Sequence, residues 1–216
     1  MTDTDFRQQF LNGMSRAAAT VNIVTTDGQA GRSGVTVSAM SSVSADAKAP
    51  IILVCLHHQG RSVPKILDNG AFVVNVLRED QSFISDTFAG RRQTSDGDAF
   101  SCANWIAMST GCPRIVDPLV AFDCKILSAN KVGTHYVVMG EVEDIFLSPS
   151  GRPLIFANRS YGSAERILPF DVEQIRPENA LRIGVHSSFG SQLLPPLIRH
   201  YEQTIGNIEE IGRAHV

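Results

Sequence analysis

The run Gly34-Val35-Thr36-Val37-Ser38-Ala39-Met40-Ser41-Ser42-Val43-Ser44 decides how this chain is read. It is β-branched, small and rich in hydroxyls, the composition of a strand that carries almost no bulk. Side chains on a strand alternate between faces, so Thr36 and Ser38 share one side and Val35, Val37 and Ala39 the other. Residues this small let a flat heterocycle approach the backbone, whose N–H and C=O groups match donors and acceptors on the ring edge. Hydroxyls of the same run can hold a polyol or a phosphate. Ser/Thr-rich strands are common, so the run by itself leaves function open.

More strands surround it. Val21 to Thr26 (VNIVTT) reads as a strand closed by Asp27-Gly28, and Pro50 to Leu56 (PIILVCL) as a short buried one. Ser62-Val63-Pro64 opens a short helix, with Ser as cap and Pro in the first turn, and Asn69-Gly70 ends it. Ala71 to Leu77 (AFVVNVL) is the next strand. Asp80 is placed to cap a helix with Phe83, Ile84 and Phe88 on one face, stopping at Gly90; Arg91 to Ala99 is a polar loop. Near the N-terminus, Phe6, Phe10, Met14 and Ala17 recur at helical spacing behind Thr4 or Asp5. In the second half Val120, Phe122, Cys124 and Ile126 alternate, as do Tyr136, Val138, Gly140 and Val142, with Asn130 to Gly133 as the turn between them. Ser148 to Gly151 is a further turn, and Pro153 to Gly162 (PLIFANRSYG) a last strand. So many strands with so few helices predict a mainly β barrel with short peripheral helices. From about Phe170 the texture changes, and Leu193, Leu194, Leu197, Ile198 and Tyr201 form a helical stripe. The expected division is a barrel domain over 1–168 and a partly helical C-terminal extension over 169–216, packed on the barrel or on a second subunit.

Composition sets outer limits. The chain has 216 residues, 43% hydrophobic and 19% charged, ordinary for one soluble domain. A net charge of −3 argues against a nucleic-acid partner. The polar, acidic start lacks the pattern of a signal peptide, and no apolar run approaches the roughly 20 residues of a membrane span; a cytoplasmic protein with no membrane partner is expected. The 4 Cys form no CxxC and fit no zinc spacing. His57 and His58, adjacent on a strand, are expected on opposite faces and not on a shared metal. No P-loop, GxGxxG, HExxH or GxSxG is present. Trp105 reads as a core or interface anchor, or as a wall of a substrate pocket.

The segment from Gly34 to Arg91 resembles the flavin reductase domain family, which includes the reductase components of 4-hydroxyphenylacetate and phenol hydroxylases. The likeness rests on several motifs in order: the small hydroxyl-rich strand, the Pro-apolar strand, Arg61-Ser62 before a short helix, Phe72 to Leu77 (FVVNVL) and Phe88 to Arg91 (FAGR). It continues in Val132 to Ile145 (VGTHYVVMGEVEDI), similar to the family's Gly-x-His hairpin and Gly-Glu-Val strand, and in PLIFANRSYG. The resemblance implies an FMN-binding split barrel of Greek-key type, usually a homodimer with flavin near the subunit interface. It implies a reductase that passes hydride from NADH or NADPH to FMN or FAD and supplies reduced flavin to a separate flavin-dependent oxygenase.

Carried over by position, it implies that Thr36, Val37, Ser38 and Ala39 line the flavin ring, with Ser42, Val43 and Ser44 along the same wall. Cys55, Leu56 and His57 would border the ribityl chain, and Arg61 and Ser62 the phosphate. Gln59-Gly60 stands where many relatives have Ser-Ser. Phe88, Ala89, Gly90 and Arg91 would form the phosphate-side segment, with Arg91 outweighing the carbonyl end of the preceding helix. His135, which without the resemblance reads as a surface residue, would sit beside flavin and nicotinamide. Tyr161 and Arg159 match a region that closes over the site. Two other functions fit the same fold: bound flavin reducing another acceptor such as a corrinoid, and flavin binding without turnover.

Overall fold

The computed structural model describes residues 3–46 and 48–164; the expected extension over 169–216 lies outside the described residues. In chain order the elements are α1 (Asp3–Arg16), β1 (Ala19–Thr20), β2 (Asn22–Thr26), β3 (Ser33–Val37), β4 (Met40–Ser44), β5 (Ile51–His57), α2 (Val63–Asn69), β6 (Ala71–Val76), α3 (Ser82–Phe88), a 3-10 turn (Ala99–Cys102), β7 (Trp105–Ala107), β8 (Pro113–Ile115), β9 (Val120–Val132), β10 (His135–Leu147), β11 (Leu154–Ala157) and β12 (Ser160–Ser163). No helix among the described residues is long and apolar enough to cross a membrane.

Seven strands form one sheet in the order β3-β2-β6-β9-β10-β5-β4, antiparallel throughout. Its two edges, β3 and β4, are neighbours in sequence, separated only by Ser38 and Ala39. Three residue steps from Val37 to Met40 span at most about 11 Å. The first and last strands are therefore held together and the sheet is rolled into a barrel. The Ala39 carbonyl fixes the corner by accepting the Cys55 N–H at 3.1 Å. What reads in sequence as one run, Gly34 to Ser44, is thus two strands and a corner, and the alternation expected across Ser38 stops at Val37.

The barrel interior is filled by Val24, Val37, Ile52, Val54, Leu56, Phe72, Val74, Cys124 and Val138, with Val63 and Ile66 of α2 packed among them. Gly140 on β10 is needed here, because a Cβ would lie 2.6 Å from Phe72 Cζ and 2.8 Å from Cys124 Cβ. β6 is apolar along its length because both faces are covered: Phe72 and Val74 point into the barrel, while Val73 packs on Cys112 and Ala121. A second cluster, Val21, Ile23, Leu77, Ile84, Ile115 and Leu154, packs the smaller elements onto the barrel.

The structure corrects several local expectations. PLIFANRSYG is a hairpin, β11 and β12, turning at Asn158 and Arg159 with φ of 49° and 60°. Paired left-handed residues suit a two-residue hairpin loop, and Asn tolerates that conformation. This hairpin joins β1 in a separate three-stranded sheet and is not a barrel strand. The long hairpin turns at Gly133-Thr134, one step beyond the expected Asn130 to Gly133, since Asn130, Lys131 and Val132 still pair with β10. β5 buries only alternate residues, Ile52, Val54 and Leu56. Asp80 does not cap α3; its carboxylate is held by Arg78. Ser62 occupies the N-cap of α2, but its side chain makes no capping bond. Helix α1 already starts at Asp3, so Thr4 and Asp5 lie within it; Phe6, Phe10 and Met14 are exposed.

The β7–β8 hairpin went unread in the sequence because its strands are only three residues long and, beside Ile115, buried polar groups on other strands hold it. Asn75 donates to the Ile23 carbonyl at 3.1 Å and accepts the Ile115 N–H at 2.8 Å, while Thr25 donates to the Pro113 carbonyl at 2.5 Å. Trp105 is an anchor of the same region: its indole N–H donates to the Phe100 carbonyl at 2.7 Å and its ring meets Phe88 and Phe100.

Candidate functional site

The corner between β3 and β4 opens onto a cleft of about 260 Å³. One wall is Val35 to Ala39, the other is Cys55, Leu56 and His57 at the end of β5, with Gly60, Val63 and His135 completing it. Eight of the residues expected at the site therefore meet here: Thr36, Val37, Ser38, Ala39, Cys55, Leu56, His57 and His135. β3 ends the sheet, so one side of its backbone has no strand partner and presents N–H and C=O groups outward. Apolar side chains beside a free backbone edge suit a flat ring with a polar rim. The residues present fit a flavin.

Val35, Gly60 and Val63 were not anticipated. Gly60 had a signal, the Gln59-Gly60 departure. Its N–H closes a tight turn on the His57 carbonyl at 2.8 Å, and a Cβ would lie 3.0 Å from that oxygen. The turn also brings His58 back towards His57, whose rings stack at 5.1 Å, contrary to the opposite faces expected of a continuing strand. His57 and His135 are register partners on β5 and β10, and their rings meet edge-on at 5.0 Å. The Gln59 N–H points at His57 Nδ1 (3.3 Å), which places the proton of the neutral ring on Nε2. His58 Nδ1 lies 2.8 Å from the Thr134 carbonyl, which can only accept, so that nitrogen carries the proton. Among the described residues no group of His, Cys, Asp or Glu is arranged to hold a metal.

The other expected residues lie outside the lining. Ser42, Val43 and Ser44 are on β4, and Val43 is exposed. Arg61 is exposed. Ser62 is buried; its hydroxyl donates to the Gly34 carbonyl at 2.6 Å and accepts from Ser33 at 2.9 Å, so its single proton is spent on the fold. Phe88 packs on Phe100 and Trp105 and covers Gly34, where a Cβ would lie 2.6 Å from its ring.

Ala89, Gly90 and Arg91 follow the end of α3, with Gly90 at φ 72°. There the Asp86 carbonyl accepts both the Arg91 N–H at 2.8 Å and the Arg92 N–H at 3.1 Å, which quenches part of the negative helix end beside Arg91. The Arg91 side chain donates from Nε to Asp86 Oδ1 at 2.8 Å and from Nη2 to the Tyr161 hydroxyl. The bond to Asp86 raises the Arg91 pKa, and burial opposes it less strongly. Burial pushes the Asp86 carboxyl up, but hydrogen bonds from Tyr161 and Arg91 outweigh it and hold the group below the usual carboxylate range. This cluster is tied to the cleft wall: Thr36 donates to the Ser85 carbonyl at 2.8 Å, and Ser85 Oγ lies 2.9 Å from the Tyr161 hydroxyl. Ser85 and Asp86 were not singled out in sequence.

A flavin reductase like domain matches residues 14–165. The FMN reductase (NADH) RutF of Enterobacter cloacae is 37% identical over 166 residues, covering 77% of this chain and 98% of that protein. The solved structure of the flavin reductase PheA2 is 28% identical with a TM-score of 0.66, covering 77% of this chain and all (100%) of that one. BorF, the flavin reductase component of a bacterial two-component tryptophan halogenase, is 25% identical with a TM-score of 0.65, covering 73% of this chain and 97% of that one. With its rolled antiparallel sheet and its cleft at the corner between the sheet edges, this chain belongs to the flavin reductase like domain family.

Proposed function

We propose that the protein is an NADH-dependent flavin reductase that takes FMN as its flavin and passes it on, reduced, to a separate oxygenase component. The observation that carries this reading is the cleft: a wall from Val35 to Ala39, begun by the edge strand β3 and closed by the corner, faces two imidazoles across a mainly apolar floor. The RutF relative, named for FMN and NADH, supports the choice of cofactors. PheA2 and BorF support a reductase that serves a partner enzyme.

When both cofactors are bound, they supply the hydride transfer themselves. The protein's work is placement. Val35, Val37 and Leu56 would keep water from the bound ring, and the outer edge of β3 would offer its polar groups to it. His135, with its ring braced edge-on by His57, would hold and orient the nicotinamide. Arg91 meets the phosphate. A homodimer, with the cleft near the subunit boundary, completes the proposal.

The test is anaerobic rapid mixing of protein and FMN with NADH, followed at the flavin band, and then filtration. Fast bleaching with reduced flavin in the filtrate is expected. Bleaching with all flavin retained on the protein overturns the delivery role, and FMN binding without bleaching by NADH overturns the reductase reading.

A further inference from the structure

Counting protons at Tyr161 assigns roles to its neighbours. A phenol has one proton to give and two lone pairs to receive. Three groups touch the Tyr161 hydroxyl: Arg91 Nη2, Asp86 Oδ1 at 2.8 Å and Ser85 Oγ at 2.9 Å. Arg91 can only donate, and an ionised carboxylate can only accept. Tyr161 therefore receives from Arg91 and has its one proton directed at Asp86 Oδ1 and Ser85 Oγ, both within reach as acceptors. Its single proton is committed inside this cluster, which leaves none to donate to a phosphate.

Arg91 is in the opposite position. Its guanidinium has five N–H donors. Nε–H goes to Asp86 and one Nη2–H to Tyr161. Three remain, and two of them lie along the Nη1–Nη2 edge, the spacing that grips two oxygens of one phosphate. The side chain is 54% exposed, so that edge is reachable. A free arginine would lose rotamer freedom on gripping an anion, and the bound complex would be weaker by that amount.

We propose that Asp86 is a positioning residue: by holding Arg91 Nε it presets the free Nη1–Nη2 edge as a receptor for the phosphate of FMN, with Tyr161 as a brace and not a ligand. The inference rests on the reading of Arg91 as the phosphate contact. Because Ser85 joins the same cluster to Thr36, the receptor is held in fixed relation to the wall that meets the ring.

Titrations of FMN and of riboflavin, which lacks the phosphate, test this by flavin fluorescence on the full chain. Asp86→Ala is expected to weaken FMN binding about five- to tenfold, the loss from one freed long side chain, with riboflavin binding unchanged. In turnover the loss falls on KM for FMN and not on kcat at saturating FMN. Asp86→Asn keeps an oxygen for Arg91 Nε and restores most of the FMN preference, and Tyr161→Phe loses less than Asp86→Ala. If Arg91→Ala abolishes the preference for FMN over riboflavin while Asp86→Ala leaves it intact or increases it, the positioning role is overturned and the phosphate reading stands. If Arg91→Ala leaves the preference intact, both are overturned.

Discussion

The Thr36 hydroxyl, in the wall of the cleft, donates to the Ser85 carbonyl of α3 at 2.8 Å. The same carbonyl already accepts the Ala89 N–H at 2.9 Å, so Thr36 adds a second bond and is not the sole partner. Thr36→Val keeps the shape and removes the donor. It should destabilise the fold by about 1 kcal/mol, the net worth of one hydrogen bond, while Thr36→Ser stays closer to wild type. Urea denaturation measures both, and equal midpoints for Val and Ser variants would show that the hydroxyl contributes nothing.

Gly140 owes its identity to Phe72 across the barrel. Gly140→Ala drives a methyl to 2.6 Å from Phe72 Cζ and 2.8 Å from Cys124 Cβ, both in the packed interior. Overpacking of this kind costs about 1–3 kcal/mol. Adding Phe72→Leu relieves only the first contact, so partial recovery of the thermal midpoint is expected in the double variant. Full stability of Gly140→Ala alone would mean that β10 shifts away without loss.

Asp123 is fully buried on β9 and accepts the Thr110 N–H at 2.8 Å and the Thr110 hydroxyl at 2.5 Å. Burial pushes its carboxyl above the usual range, and the two Thr110 bonds pull back less strongly. The folded state therefore binds this proton more readily than the unfolded state, so the contribution of Asp123 to stability falls as the pH rises through the raised value. Relative to Asp123→Asn, wild type should gain stability as the pH falls from neutral towards about 4, the unfolded carboxylate value. Thermal melts of both proteins across that interval check the sign; wild type losing ground in acid would contradict it. Asp86 has the opposite sign: its depressed carboxyl adds stability that is present above about 4 and lost as the pH falls through the lower folded value.

How far the sequence could be read follows from the range of each interaction. Strands such as β6 and β9 were legible because apolar runs and alternation are local. The corner at Ser38-Ala39 was not, since nothing local marks where a strand crosses from one sheet edge to the other. PLIFANRSYG hid its turn in Asn158-Arg159, which lacks the usual glycine. At the cleft, the residues found by resemblance lie on two walls far apart in sequence. Their meeting depends on the register of β5 with β4 and β10. Asp86 and Ser85 carry no motif, and their role exists only through partners: Thr36 on β3, Tyr161 on β12 and Arg91 after α3.

The edge-on contact between His57 and His135, 5.0 Å between ring centres, predicts that the two act as one unit. His135 Nδ1 is also 3.0 Å from the Thr134 hydroxyl, so its ring is held from two sides. His135→Ala should lower kcat/KM for NADH about tenfold, the upper end of what one lost hydrogen bond gives, and should affect FMN affinity less. His57→Ala should lower it less, because it loosens the ring of His135 without removing it. Residues that act through one another give non-additive losses. The double variant should therefore be hardly worse than His135→Ala alone in steady-state NADH kinetics. Losses that multiply would mean that His57 contacts a cofactor in its own right, through the Nε2–H that the Gln59 amide leaves free.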